Sequence, residues 1–388
     1  MILPVLLSAL GAALILIIVW DAFETILVPR RIGRRVRLTR YFYLATWRVW
    51  RAVARRVGKP SRREALLGFY GPLSLLLLLS CWAVGLIVAF ALLELGTQPH
   101  VGIAGITGIS GTTGMTLERF GMLLYMSGET FFTLGFGDVT PTSGAGRLLA
   151  VLEAGLGFGF LGTVIGYLPT MYAAFAQREV QISLMDARAG SPPTAAAFLG
   201  RVPEGSGLCD ELLEDWERWS AQLLETHISY PQLAFYRSQH SNQSWLAALT
   251  AILDSTALLL ARPDAVPTSQ ARLTFAMARH ALVDISQNFV RDYAPGAPDR
   301  LTPDTLRLLR ERLADTAMSL PESGDFESRL AALRLKYEPY AQALAAWLLF
   351  ELPPWVHAEQ RRDNWQGGPW DKQLSAHPGP VHRSDEHF

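Results

Sequence analysis

Three apolar stretches, Ile2 to Val28, Leu66 to Leu95 and Leu148 to Phe175, constrain this chain more than any other feature of its sequence. About 20 residues of helix cross a hydrocarbon core of about 30 Å, and each stretch meets that length. In hydrocarbon the backbone must satisfy its own polar groups, which leaves α-helices as the conformation for such runs. Half of the 388 residues are apolar and 18% are charged, a balance that also favours a membrane protein over a soluble one. The first run has no basic residue ahead of its apolar core and no clear small-residue cleavage site, so it is expected to be a retained helix rather than a signal peptide.

The formal net charge of zero conceals a division. Residues 1–177 hold 15 basic and 8 acidic groups, and subtraction from the totals of 35 and 35 leaves 20 and 27 for residues 178–388. From Arg30 to Arg63 there are thirteen basic residues and no acidic one, whereas the only basic residue from Thr97 to Gly146 is Arg119. The positive-inside rule places the basic segment in the cytoplasm. This implies a multi-pass protein of the plasma membrane, with the N-terminus outside and everything beyond Phe175 cytoplasmic. Arg31, Arg34, Arg37 and Arg40 recur every third residue, but Arg30, Gly33 and Arg35 interrupt the apolar background that a voltage-sensing helix needs. An amphipathic segment lying on anionic lipid headgroups is expected from Arg30 to Arg63, with Tyr41, Tyr43, Trp47 and Trp50 as interfacial anchors. Asp21 and Glu24, at the inner end of the first helix, are expected to pair with those arginines.

Between the second and third runs lies Ser127-Gly-Glu-Thr-Phe-Phe-Thr-Leu-Gly-Phe-Gly-Asp-Val-Thr-Pro141, preceded by a helix-compatible stretch from Leu117 to Phe132. Irregular backbone at membrane depth must be buried in protein or line an aqueous path. To replace an ion's hydration shell, successive carbonyls must point at one axis, which forces alternate residues toward left-handed conformations that cost glycine little. Gly135 and Gly137 stand at such alternate positions. Thr133, Leu134, Gly135, Phe136 and Gly137 are therefore candidates for an ion-binding filter, with the Thr133 hydroxyl adding a further oxygen. Neutral carbonyl dipoles suit a dehydrated monovalent cation, because divalent ions usually prefer carboxylates.

At Thr133-Leu-Gly-Phe-Gly-Asp138 the sequence resembles the potassium channel superfamily, in the group with one pore loop between two spanning helices, over roughly Leu66 to Phe175. The first helix and the cytoplasmic half lie outside the resemblance. It implies a homotetramer, potassium as the permeant ion, and ion-coordinating carbonyls at Thr133, Leu134, Gly135 and Phe136, with Gly137 at the outer mouth. It also implies that Asp138 closes the filter and that Glu129 is a carboxylate behind it. Phe136 stands where the family more often has Tyr, and Phe132 where it often has Thr. A non-selective monovalent cation channel, or a membrane-anchored sensor with a non-conducting pore domain, are the alternatives.

The third run contains several glycines and Pro169. Close helix packing accounts for glycines in a spanning helix, while Gly157 lies at the separation from Gly137 at which the resembling channels place a hinge. Gly157, Gly166 and Pro169 are candidate gating positions, and Pro169 is expected to disturb the helix because it removes a backbone donor. Glu153 is an intramembrane carboxylate that asks for a partner, either bracing the pore helix or serving gating.

The expected fold class is an all-α membrane protein of three transmembrane helices with a re-entrant pore helix and filter loop, followed by an all-α cytoplasmic domain. Its divisions are a first helix at 1–28, the basic segment at 29–65, a pore domain at 66–177, a helical cytoplasmic domain at 178–352 and a tail at 353–388 expected to be disordered. Within the cytoplasmic part, amphipathic stretches run near Glu211 to His227, Ser244 to Arg262, Ser269 to Tyr293, Pro303 to Ala314 and Phe326 to Leu352. Trp216, Trp219, Trp245 and Trp347 on them are expected to pack in a core. Neither Cys81 nor Cys209 has the spacing of a metal site or disulfide framework. His227, His240 and His280 are too scattered to suggest a metal or catalytic centre. No enzyme, no cofactor other than a permeant K+ ion, and no nucleic-acid partner are expected.

Overall fold

The computed structural model describes residues 2–28, 37–97, 101–103, 117–202, 208–240, 242–262, 269–289, 298–357, 363–364 and 370. The chain forms two compact units, Met1–Phe175 with Ile228–Tyr236, and Ala176–His227 with Arg237–Phe388.

The first unit holds α1 (Ile2–Ile26), α2 (Leu38–Arg56), α3 (Pro60–Thr97), α4 (Leu117–Phe131) and the part of α5 (Gly144–Ala189) up to Phe175; the three apolar runs fall on α1, α3 and α5. The helices α1, α3 and α5 are long and apolar enough to cross a membrane, as the three runs predict. Strands β1 (Val101–Ile103) and β2 (Val139–Pro141) pair antiparallel, Val101 opposite Pro141 and Ile103 opposite Val139. This ladder, which alternation in the sequence does not announce, fixes the chain just beyond Asp138.

The helices α1 and α3 approach closely because Gly11 has no side chain, since a Cβ there would meet the Ala89 carbonyl at 2.5 Å. Leu75, Leu78, Leu79, Trp82 and Leu86 of α3 form the core with Ile18 of α1, Phe131 of α4, and Tyr167 and Met171 of α5. The arginines from Arg30 to Arg35 with which Asp21 is expected to pair lie outside the described residues, and among the described residues Asp21 is held by α2 and α3. Its carboxylate accepts from Trp82 Nε1 at 3.1 Å and from the Thr39 N–H and hydroxyl at 3.1 and 2.6 Å, so it caps the start of α2. Glu24 does reach Arg37, at 3.7 Å. The aromatic residues of α2 also divide. Tyr41 is exposed, but Trp47 is buried against Tyr70, ring centroids 4.7 Å apart, so it is a core residue instead of an interfacial anchor. The expected arginines up to Arg35 lie outside the described residues.

The regular elements among the described residues of the second unit are all helices: α6 (Ala195–Gly200), α7 (Leu208–Ser229, its last two residues in the first unit), α8 (Trp245–Ala261), α9 (Ser269–Phe289), α10 (Pro303–Leu313), α11 (Gly324–Arg334) and α12 (Glu338–Leu348), besides the end of α5. The single stretch expected from Phe326 to Leu352 is two helices. Every residue of α8 except Leu259 and Leu260 is buried, as an apolar helix without a polar face must be. Ser244, Thr302 and Ser323 each cap a following helix by accepting a backbone N–H. Arg300 reaches into the interior and donates to Asp254 at 2.6 Å and to the Pro353 carbonyl at 2.7 Å, while the Tyr337 hydroxyl also donates to Asp254 at 2.6 Å. Trp216, Trp219 and Trp245 are buried. Trp355 and Asp363 are buried too, and Asp363 accepts from the Ser191 N–H at 3.2 Å. Those positions fall within the stretch expected to be a disordered tail, and side chains held by long-range contacts, invisible to composition, keep them in place.

Candidate functional site, a loop after the short helix α4

The site is built on α4, which begins at Leu117 and ends at Phe131 with its C-terminal end packed in the core. The chain leaves that end through three backbone hydrogen bonds. Phe132 N–H donates to the Gly128 carbonyl at 3.1 Å, Thr133 to Thr130 at 3.0 Å and Leu134 to Glu129 at 2.7 Å. Beyond them the backbone alternates. Thr133 has φ 56°, Gly135 φ 64° and Gly137 φ 76°, all left-handed, while Leu134 and Phe136 between them are not. A non-glycine residue in that region is uncommon and costs on the order of 1 kcal/mol, so Thr133 is held there by its surroundings. Leu134 and Phe136 are 58% and 69% exposed on the single chain.

Two separate pairs of carboxyl groups stand behind this loop. Glu129 is buried and interacts with Asp138 and with the Phe136 backbone N–H, and Asp138 in turn accepts from the Tyr125 hydroxyl at 3.3 Å. Glu153 on α5 is fully buried and takes its hydrogen bond from the Ser127 hydroxyl of α4. The nearby carboxyl group that acts on it is Glu94 of α3, fully buried and with no hydrogen-bond partner for either oxygen among the described residues. The sequence-predicted set is thus divided. Glu129 and Asp138 meet at the loop, and Glu153 braces α4 one turn earlier. Sequence reasoning misses Glu94 and Ser127, although a carboxylate inside an apolar run is itself a signal that Glu94 needs a role.

The gating candidates also separate by environment. A Cβ on Gly157 would meet the Phe131 carbonyl oxygen at 2.0 Å, so α5 packs there directly on the last turn of α4. Gly166 faces open space on the single chain. Pro169 does not break α5, which continues through it to Ala189. The missing N–H leaves the Ile165 carbonyl without its usual donor, and the packing of Tyr167, Met171 and Ala174 on the core holds the helix together across it.

Residues 76–174 match a protein-family profile described as Ion channel. The match begins in α3, contains α4, the loop and β2, and ends in α5. The chain therefore carries an ion-channel segment over these residues, about a quarter of its length. No curated protein and no solved structure matches the chain. Among the described residues no group of His, Cys, Asp and Glu is placed to hold a metal ion.

Proposed function

We propose that this protein is one subunit of a homotetrameric potassium channel of the plasma membrane, with Thr133 to Gly137 as its selectivity filter. The observation that carries this reading is the left-handed backbone at every second residue, Thr133, Gly135 and Gly137, directly after a short helix and between two spanning helices. Alternation of this kind turns successive carbonyls toward one side of the chain, and four copies about an axis would stack them into rings that replace the hydration shell of K+. Leu134 and Phe136, exposed on one chain, would pack between copies.

The tetramer has support of its own on α5. Val151, Phe158, Ile165 and Tyr172 are all more than half exposed and recur every seventh residue, so they form one uncovered apolar stripe along the helix. Neighbouring copies would cover it. Glu129 and Asp138 would brace the filter from behind, and Glu153 with Ser127 would hold α4 against α5. The first helix and the basic segment orient the chain with its N-terminus outside and its second unit in the cytoplasm, with arginines between Arg30 and Arg63 facing anionic lipid.

Purified protein in liposomes tests the proposal. In opposed potassium and sodium gradients the reversal potential should lie near that of potassium, and Gly135→Ala should abolish selective conduction. Equal permeabilities would make the pore a non-selective cation channel, and no flux would leave the channel segment non-conducting.

A further inference from the structure

From the last two residues of α7 onward, the chain from Ile228 to Tyr236 belongs by its contacts to the first unit, whereas the rest of α7 and all of α8 belong to the second. It forms a short 3-10 turn at Pro231–Phe235, closed by Leu233 N–H on the Tyr230 carbonyl at 2.9 Å and Tyr236 N–H on the Leu233 carbonyl at 3.0 Å. Gln232, Leu233, Ala234, Phe235 and Tyr236 are buried. Nothing in the resemblance or the family match covers this segment.

One side of the turn is set in aromatic residues of α2 and α3. The Phe235 ring stacks on Tyr43 at 5.6 Å between centroids, and lies 5.0 Å from Trp47 and 5.1 Å from Tyr70. Tyr236 lies over Gly71 of α3, where a Cβ would meet its ring at 2.6 Å. The other side grips α5 around Pro169. Gln232 Nε2 donates to the Tyr167 hydroxyl and approaches the Met171 sulfur at 3.6 Å. The Tyr230 ring packs on Tyr167 at 5.4 Å, and the Tyr236 ring on Phe175 at 5.5 Å.

At about 100° per residue, Tyr167, Met171 and Ala174 lie on the face of α5 roughly opposite Val151, Phe158, Ile165 and Tyr172. The turn therefore holds the inner part of α5 back toward α2 and α3, away from whatever covers the exposed stripe. We propose that Ile228–Tyr236 is a clasp that keeps the inner part of α5 drawn back from the neighbouring copies around the pore, so that the seated clasp favours conduction and its release closes the path. The clasp begins in the last two residues of α7 and is joined to α8 through residues 237–244. Any ligand or partner that rearranges α7 and α8 would act on it, and the change would reach α5 next to its weakest backbone position, Pro169.

This role rests on the channel reading, and the experiment separates the two. Potassium flux is measured on full-length protein in liposomes for the unmodified chain, Phe235→Ala and Gly71→Ala. Phe235→Ala empties the aromatic seat. Gly71→Ala pushes Tyr236 off α3 while lengthening no loop and touching no residue of α5, and alanine suits the α3 helix better than glycine does. Both variants should lower flux about tenfold, with the preference for potassium over sodium unchanged. Amide hydrogen exchange, followed on the same samples, should speed up at residues 228–236 and 167–175. Unchanged flux in a variant whose exchange has risen would overturn the clasp alone, as would raised flux. Unchanged exchange in both variants would also overturn it, since the seat would then not hold the turn. Absence of flux from the unmodified chain would overturn the channel reading, and with it this role.

Discussion

Gly157→Ala distinguishes a packing glycine from a hinge glycine on α5. The added Cβ would lie 2.0 Å from the Phe131 carbonyl oxygen and 2.8 Å from the carbonyl carbon, both backbone atoms that no rotamer change can move. Bringing the closest contact to about 3 Å requires α5 to withdraw from the end of α4 by about 1 Å. Overpacking of this kind costs about 1–3 kcal/mol, sometimes more, and exceeds the gain of up to about 1 kcal/mol from replacing glycine in a helix. At about 2–4 °C per kcal/mol for a unit of this size, a net loss of about 1–2 kcal/mol should lower the thermal midpoint of purified protein in detergent by about 2–8 °C. Gly166→Ala supplies the comparison on the same helix. Nothing stands within 4 Å of its Cβ, so the midpoint should hold or rise by a few degrees. Because Phe131 leads directly into Thr133, the withdrawal should also reduce potassium flux in the Gly157 variant. A midpoint at or above that of the unmodified protein, with flux lost, would refute the packing argument and return Gly157 to a hinge role.

Asp254→Ala leaves Arg300 buried without its main counter-charge and orphans the Tyr337 hydroxyl, so it should cost about 3–5 kcal/mol in chemical unfolding of the second unit; a change below about 1 kcal/mol would contradict the burial of that cluster. His227 is held neutral by burial, with Arg178 adding to the effect against a Leu223 carbonyl bond, and its pKa is lowered to about 3. Its unfolded form takes up a proton near the ordinary value of about 6.5, so this stability is present above that pH and is lost as pH falls toward about 3. Relative to neutral pH the loss should reach about 2–3 kcal/mol around pH 4.5, and His227→Phe should flatten that part of the unfolding profile. Asp21→Ala removes the acceptor of three donors from α2 and α3 and should lower the midpoint by several degrees at about 1–3 kcal/mol, whereas an unaltered melt would mean that the cap at α2 carries no stability.

The three spanning helices are legible because apolar length in a bilayer is a property of the sequence itself, and α4 because its period and position between two spans leave few alternatives. The helices of the second unit are legible from their caps and amphipathic period, except that the break at Leu335 to Tyr337 is a local turn within an otherwise continuous pattern. Glycine spacing picks out the filter candidates, but it offers no means of assigning the third left-handed position, Thr133, whose conformation is imposed by the hydrogen bonds that end α4. The carboxylates illustrate the same limit. Glu153 is visible as a charge that needs a partner, yet Ser127 and Glu94 are its neighbours only because α3, α4 and α5 pack together.

The sequence by itself determined the number of helices apolar enough to cross a membrane, the loop between the last two, and the helical character of the C-terminal half, whereas α3 and α5 extend beyond their apolar runs, to Pro60 and to Ala189. These depend on short-range quantities: apolar length, period, capping residues and glycine spacing. Tertiary structure alone decided that Gly157 is a packing contact, that Asp21 caps α2, that Trp47 turns inward, and that the residues from Ile228 to Tyr236 leave their sequence neighbours to pack on Tyr43, Tyr70 and Tyr167. Each of these joins residues far apart in the chain, and side-chain packing between distant segments leaves no periodic trace in either one.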